Sequence, residues 1–149
     1  MFSLIVELAE YERAADQVVG TEEMLAAALF GPEPVAEALI AELGAEPAGF
    51  ALFYTSFSTW QCIPGIWLED LVVRERLRGA GIGGALIREL AAIALQRGCG
   101  RLEWAVLDWN APAIGFYDRF GAESVNDWRL RRLDGGALER AARGERLEP

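Results

Sequence analysis

The sequence predicts one α/β domain, and three observations point to that fold class. At 149 residues, the chain has the length of a single domain with a sizeable core. Strand-like aromatic and aliphatic segments alternate with segments whose apolar residues recur at helical spacing. Glycine and proline occur between them as turn signals, and no repeat or linker interrupts the pattern. We therefore expect residues 1–149 to form one domain with an α/β order of elements.

The first part of the chain is predicted to begin with two helices. Apolar residues recur at helical spacing between Phe2 and Arg13. Thr21, followed by two glutamates, is typical of a helix start, and Gly31 with the next proline ends that helix. Residues 35–43 are ambiguous, because their propensities favour a helix whereas a strand would form a hairpin with the next element.

The middle of the chain has the clearest pattern. Residues 48–57 and 65–73 are rich in aromatic and aliphatic side chains, and each is predicted to be a strand. A glycine-rich loop follows, and an apolar stripe then predicts a helix from about Gly83 to Arg97. Residues 101–107 are predicted to form the next strand.

Two further elements are predicted in the C-terminal part. Asn110 is expected to cap a helix that has a proline in its first turn and ends at Gly121. A last strand is expected near Trp128 to Leu133. A polar tail rich in arginine and glutamate follows it.

The composition narrows the class of partner. A formal net charge of −9 repels nucleic acids and anionic membranes and favours small cationic molecules. The chain has no histidine, which removes Ser–His and Cys–His nucleophilic sites and the commonest zinc ligand. We therefore expect no metal site, and acid–base chemistry falls to carboxylates, tyrosine or water.

The same composition predicts a cytoplasmic protein. No uncharged apolar run approaches the roughly 18 residues of a membrane helix, and the N-terminus lacks the basic flank of a secretory signal. Cys62 and Cys99 have neither metal-like nor redox-like spacing. We expect both to be small core residues of a protein in a reducing compartment.

The segment from Arg74 to Gly84 is the most informative stretch. Its glycines let backbone N–H groups approach a ligand closely, and the start of the following helix adds a positive dipole. Three arginines at alternate positions precede the glycines, so anionic oxygens could meet both amides and guanidinium groups. The segment therefore predicts a pyrophosphate site.

Two motifs fit this segment. Residues 79–84 satisfy G-x-G-x-x-G, with Glu103 about 20 residues further on, as in a dinucleotide-binding fingerprint. That fingerprint needs a strand running straight into the first glycine, whereas five residues separate Val73 from Gly79. The alternative motif is R-x-x-G-x-G over residues 78–83.

The second motif, between an apolar strand and an amphipathic helix, resembles the acetyl-CoA loop of the GNAT superfamily. Within that superfamily the chain resembles the spermidine/spermine (diamine) and thialysine acetyltransferases. The segments that carry the resemblance are ELAEYE (7–12), LEDLVV (68–73), RGAGIG (78–83), WNAPAIGFYDRFGA (109–122) and WRLRRLD (128–134). The resemblance implies a central mixed, mostly antiparallel twisted sheet flanked by helices, with splayed central strands. The family usually has a strand before the first helix, whereas this sequence starts within that helix, so we expect either a sheet without that edge strand or a start site placed too late.

The resemblance also implies acetyl-CoA as cosubstrate and assigns residues to both sides of the reaction. The amides of two strand residues would bind the pantetheine arm, and the glycine loop would hold the pyrophosphate. The implied cofactor-binding residues are Leu71, Val73, Arg78, Gly79, Gly81, Gly83, Gly84 and Asn110. The implied residues facing the amine are Tyr11, Glu12 and Glu69. The implied partners are a small cationic amine and a second copy of the chain in a homodimer.

The reaction implied is attack of a neutral amine on a thioester. Glu69 would accept the proton of the amine, and Tyr117 would face the sulfur and protonate the leaving thiolate. Tyr117 lies seven residues after Asn110, so both project from one face of a helix. Strand alternation predicts that Asp70 points away from the face of Glu69. The amide of Leu71 is a candidate to polarise the thioester oxygen, and no covalent enzyme intermediate is expected.

Two other functions stay open at this point. A CoA-binding module that does not turn over substrate would keep the loop. A dinucleotide-binding oxidoreductase would use the first of the two glycine motifs.

Overall fold

The computed structural model describes residues 1–145, which contain five α-helices and four strands. Residues from Met1 to Ala105 form one compact unit, and a second unit begins at Val106. The helices are α1 (Phe2–Tyr11), α2 (Glu22–Phe30), α3 (Ile82–Gln96), α4 (Ala111–Asp118) and α5 (Gly135–Ala142). The strands are β1 (Glu37–Leu43), β2 (Glu46–Ser58), β3 (Ile63–Val73) and β4 (Leu102–Glu103).

The four strands form one mixed sheet in the order β1-β2-β3-β4. The β1–β2 and β2–β3 pairs are antiparallel hairpins. Strand β4 runs parallel to β3 and pairs with it at two positions, Ile66 with Leu102 and Trp67 with Glu103. The expectation of a mixed, mostly antiparallel sheet flanked by helices is therefore confirmed.

Helices cover both faces of the sheet in the first unit. On one face, Leu4 of α1 is buried against Phe50 and Val72 of the two central strands. Phe53 points to the opposite face by strand alternation, and Arg97, directly after α3, lies over its ring. Four apolar side chains of α3 are buried, namely those of Leu86, Ile87, Leu90 and Ala94. The amphipathic patterns of α1 and α3 thus decide which sides of these helices meet the sheet.

The first-unit elements agree with the sequence to within a few residues. The Thr21 hydroxyl accepts a hydrogen bond from the Met24 amide at 3.3 Å and caps α2, as predicted. The ambiguous residues 35–43 form strand β1 rather than a helix. Pairing with β2 makes this segment a strand. The hydrogen bonds and side-chain contacts of the antiparallel β1–β2 ladder outweigh the helix propensity of its residues.

Two predicted strands are wrong in whole or in part. The strand expected over 101–107 is confined to Leu102–Glu103. The last strand expected near Trp128 to Leu133 is not formed, and both of these side chains are exposed. The alternating apolar and basic residues there carry strand propensity, but a strand also needs a ladder partner. The predicted polar tail contains α5, whose residues are mostly exposed.

Candidate active site

The glycine loop adopts a backbone that only glycine takes easily. After β3, a short 3-10 turn (Glu75–Leu77) leads to Gly79 and Gly81, whose φ angles are +82° and +84°. A Cβ atom built on either glycine would meet nothing within 4 Å, so the requirement is conformational rather than steric. Helix α3 begins at Ile82, and its first amides have no carbonyl acceptor within the helix. The loop therefore presents free N–H groups at a helix N-terminus, an arrangement suited to anionic oxygens.

The arginines before the glycines have different environments. Arg74 lies 3.6 Å from Glu7 and 3.6 Å from Glu46, and Arg76 is in close contact with the same Glu46 carboxylate. These two guanidinium groups are therefore balanced by carboxylates. The sequence could not reveal this pairing, because Glu46 lies 30 residues from Arg76.

Arg78 instead connects the loop to the first helix. Its Nε donates a hydrogen bond to the Val73 carbonyl at 3.3 Å. Its guanidinium carbon lies 4.7 Å from the centroid of the Tyr11 ring, within the range of a cation–π contact. Arg78, predicted to bind the cofactor, and Tyr11, predicted to face the amine, are thus in direct contact.

The end of β3 has an open edge. The Arg74 amide donates to the Ala48 carbonyl of β2 at 3.0 Å. Because successive amides of a strand point to opposite edges, the amides of Val73 and Leu71 point away from β2. Strand β4 covers that edge at Ile66 and Trp67, and in residues 1–145 no strand pairs with it beyond them. An extended ligand could therefore add to β3 along the amides that the sequence analysis assigned to pantetheine.

A β-bulge interrupts β3 at Glu69. Asp70 pairs with Leu52 and Leu68 pairs with Phe53, so Glu69 is the extra residue between them. The Trp67 indole N–H donates a hydrogen bond to Glu69 Oε2 at 3.0 Å. The bulge places Leu68 and Asp70 opposite consecutive residues of β2, so simple alternation does not hold here and the expectation that Glu69 and Asp70 occupy opposite faces stays a prediction.

Asp70 lies close enough to Glu69 and to Glu12 to be affected by both charges, and these three carboxylates are called the acidic cluster. Burial, followed by the negative charges of Glu69 and Glu12, raises the pKa of Asp70 to about 6. Burial also raises the pKa of Glu12, which directly follows α1. A positive charge beside Asp70 would relieve its repulsion with the two neighbouring carboxylates. Sequence reasoning missed Asp70, although two adjacent carboxylates within an apolar strand were a visible signal.

The family is decided by comparison with known proteins. A model of the acetyltransferase (GNAT) family matches residues 5–122. The chain belongs to the GNAT family. It is an N-acetyltransferase with the mixed α/β fold of that family, and the predicted resemblance is confirmed. GNAT acetyltransferases use acetyl-CoA as the acetyl donor.

Individual relatives of this GNAT protein are similar along most of its length. Thialysine N-epsilon-acetyltransferase of Bos taurus is 41% identical over 150 residues, covering 93% of this chain and 88% of the relative. Spermidine/spermine N(1)-acetyltransferase-like protein 1 of Homo sapiens is 32% identical over 141 residues, covering 88% of this chain and 20% of the relative. Among solved structures, an integron cassette protein from the mobile metagenome of V. cholerae has a TM-score of 0.77 at 28% identity. That match covers 92% of this chain and 86% of the other.

The second unit of the GNAT chain carries two predicted site residues. Asn110 is buried, and its Oδ1 accepts a hydrogen bond from the Ala113 amide at 3.2 Å, which caps α4. Tyr117 lies on the same helix, with its ring edge-on to Phe116 at a centroid distance of 5.1 Å. The predicted cap is confirmed, and the roles of Asn110 and Tyr117 toward the substrates stay predictions.

Three further observations concern metal binding, membrane-spanning helices and the two cysteines. In residues 1–145, no group of three or more Cys, Asp or Glu side chains could hold a metal ion. The helices of this part of the chain are each too short or too polar to span a lipid bilayer. Cys62 is exposed in the β2–β3 turn, so its assignment to the core is wrong, and Cys99 is partly buried.

Proposed function

We propose that this enzyme transfers the acetyl group of acetyl-CoA directly to the primary amine of a small cationic substrate. The substrate class is a diamine or polyamine, or a thialysine-like amino acid. The observation that carries the proposal is the acidic cluster of Glu12, Glu69 and Asp70, which has the charge and partial burial expected of an alkylammonium site. The names of the thialysine and spermidine/spermine relatives support the same class.

The proposed position of acetyl-CoA follows the glycine loop and the open edge of β3. The pyrophosphate would meet the N–H groups from Gly79 to Gly84, including those of Gly81 and Gly83, together with the Arg78 guanidinium. The pantetheine arm would pair with the amides of Leu71 and Val73. Asn110 is the further cofactor-binding residue that the family resemblance implies. The positive φ angles at Gly79 and Gly81 and the unpaired β3 amides fit a ligand of this shape.

The proposed mechanism has one residue that accepts a proton, Glu69, and one that donates a proton, Tyr117. A primary amine has a pKa near 10.4, so holding it neutral at pH 7 costs about 4–5 kcal/mol, and a carboxylate that takes the proton removes this obstacle. Glu69 is assigned that role, with Tyr11 and Glu12 binding the amine. Tyr117 donates a proton to the leaving thiolate, by resemblance to the family. The Leu71 amide polarises the thioester oxygen.

We also propose that residues 1–149 act as one domain, in a homodimer in the cytoplasm. The family match supports the first point, since residues 5–122 extend from the first compact unit into the second. The homodimer rests on resemblance to the family. The two cysteines, which do not form a disulfide with each other, are compatible with a reducing compartment.

The decisive experiment measures release of CoA thiol from acetyl-CoA with a panel of amines, and identifies the acetylated product by mass. We expect diamines, polyamines or thialysine-like amino acids to give the highest kcat/KM. Better turnover of neutral or acidic acceptors would refute the substrate class. Binding of acetyl-CoA, seen as a thermal shift, without thiol release in any reaction would indicate a CoA-binding module instead. Stabilisation by NAD rather than acetyl-CoA would indicate a dinucleotide-binding protein.

A further inference from the structure

We propose that Trp67 is a positioning residue for Glu69: its indole N–H holds one carboxylate oxygen so that the other is presented to the substrate amine. The inference deepens the proposed function and rests on it. It is carried by the hydrogen bond from Trp67 Nε1 to Glu69 Oε2, which is 3.0 Å long. The donor, Trp67, has a backbone paired with strands on both edges, whereas the acceptor, Glu69, has no partner in the β2–β3 register.

Trp67 occupies the best-fixed part of β3. Its backbone is opposite Tyr54 of β2 on one side and Glu103 of β4 on the other. Within residues 1–145, the pairs at Ile66 and Trp67 are the two places where β3 has a strand on both edges. A side chain on a doubly paired backbone position is a firmer support than one on a loop.

Glu69 lacks such support of its own. It is the extra residue of the bulge, with no partner in the β2–β3 register, and its side chain is exposed. An exposed glutamate samples many rotamers, and each productive encounter with an amine would first have to select one of them. The indole N–H reduces this freedom by fixing Oε2.

The chemistry of the indole limits what Trp67 can do. Its N–H is a donor only and does not titrate in the range in which proteins are active, so Trp67 can neither take the amine proton nor bind the ammonium through that nitrogen. Any contribution of the N–H to turnover must therefore pass through the carboxylate that it holds. Tyr54, opposite Trp67, senses that carboxylate as well: burial raises the pKa of Tyr54, and the charge of Glu69 raises it further.

Three variants separate positioning from packing. Trp67→Phe keeps an aromatic ring and removes the donor. Trp67→His loses the benzene part of the indole but restores an N–H at the same place in a five-membered ring, and it is assayed at pH 8, where imidazole is neutral. Glu69→Ala removes the acceptor, alone and combined with Trp67→Phe.

We expect Trp67→Phe to lower kcat for the amine by about 3- to 10-fold, the effect of one modest hydrogen bond. Affinity for acetyl-CoA alone should stay within about twofold of wild type. Trp67→His should recover part of the lost kcat. In the Glu69→Ala background, Trp67→Phe should change kcat by less than about twofold, because the group that it positions is gone.

Additive effects of Trp67→Phe and Glu69→Ala would overturn the inference, as would wild-type kcat in Trp67→Phe. A loss of melting temperature with kcat per folded molecule retained would assign Trp67 to packing alone and overturn it too. If wild-type enzyme acetylates no amine, the proposed function itself fails. If the wild type is active and the effects of the two substitutions on kcat are additive, the positioning role is refuted and the proposed function is left intact.

Discussion

Replacing Asp70 by asparagine should stabilise the enzyme at neutral pH and do so less as the pH falls. Burial, followed by the charges of Glu69 and Glu12, raises the pKa of Asp70 from 3.8 to about 6. Below pH 3.8 the carboxyl is neutral in the folded and unfolded chains. In this pH range the stability of the fold is not reduced by ionisation of Asp70. As the pH rises through 6, the unfolded chain is already ionised while the folded chain resists ionisation, so stability is lost.

The size of the effect follows from the same two pKa values. The interval from 3.8 to about 6, at 1.36 kcal/mol per pH unit, sets an upper limit of roughly 3 kcal/mol at pH 7.5. Asparagine has nearly the same shape but still needs hydrogen-bond partners for its amide, so we expect a gain of about 1–2 kcal/mol. For a chain of this length, that gain corresponds to a rise in Tm of about 2–8 °C.

The assay is thermal or urea unfolding of wild type and Asp70→Asn at pH 7.5 and pH 4. Asp16→Asn, at an exposed position in the turn after α1, is the matched control and should not stabilise the enzyme at either pH. A stabilisation of equal size at both pH values would show that ionisation of Asp70 is not its cause. A loss of stability at pH 7.5 would refute the reasoning altogether.

Three further predictions concern the cofactor loop and the proposed proton donor. Gly81→Val should cost about 1–2 kcal/mol of stability, because φ is +84° there, and should weaken acetyl-CoA binding far more than it lowers Tm; unchanged affinity in the folded variant would refute the loop assignment. Tyr117→Phe keeps the contact with Phe116 and should lower kcat by roughly 10²–10⁴ at similar Tm, whereas near wild-type turnover would remove the phenol from the mechanism. Tyr11→Leu removes the ring under Arg78 and should weaken acetyl-CoA binding by about two- to fivefold, while Tyr11→Phe should not; calorimetric titration of the cofactor distinguishes the two.

The candidate site was predictable where its signals are local. The glycines of the loop were recognisable because the positive φ angles at Gly79 and Gly81 are states that other residues avoid. The cap at Asn110 was recognisable because a side-chain acceptor is needed at the start of α4. Each of these signals lies within a few residues of the structure that it specifies.

Other parts of the site depend on residues far apart in the chain. Alternation along β3 could not be extended through Glu69, because the bulge there is fixed by the register against β2. The loop arginines could not be sorted by sequence, because the carboxylates that pair with Arg74 lie on α1 and at the start of β2. The hydrogen bond that holds Glu69 is likewise visible only once the bulge is known.

The sequence by itself determined the acidic character of the chain, the loop before α3, the family and most of the helices and strands. Those features follow from charge, backbone propensity and apolar periodicity, which act between near neighbours. Tertiary structure decided that residues 37–43 are a strand, that residues 128–133 are not, and that Asp70 shares a cluster with Glu12. Strand pairing and the burial of charge depend on which distant segments come into contact. The free energy gained from these tertiary contacts outweighs the intrinsic helix or strand propensity of each segment.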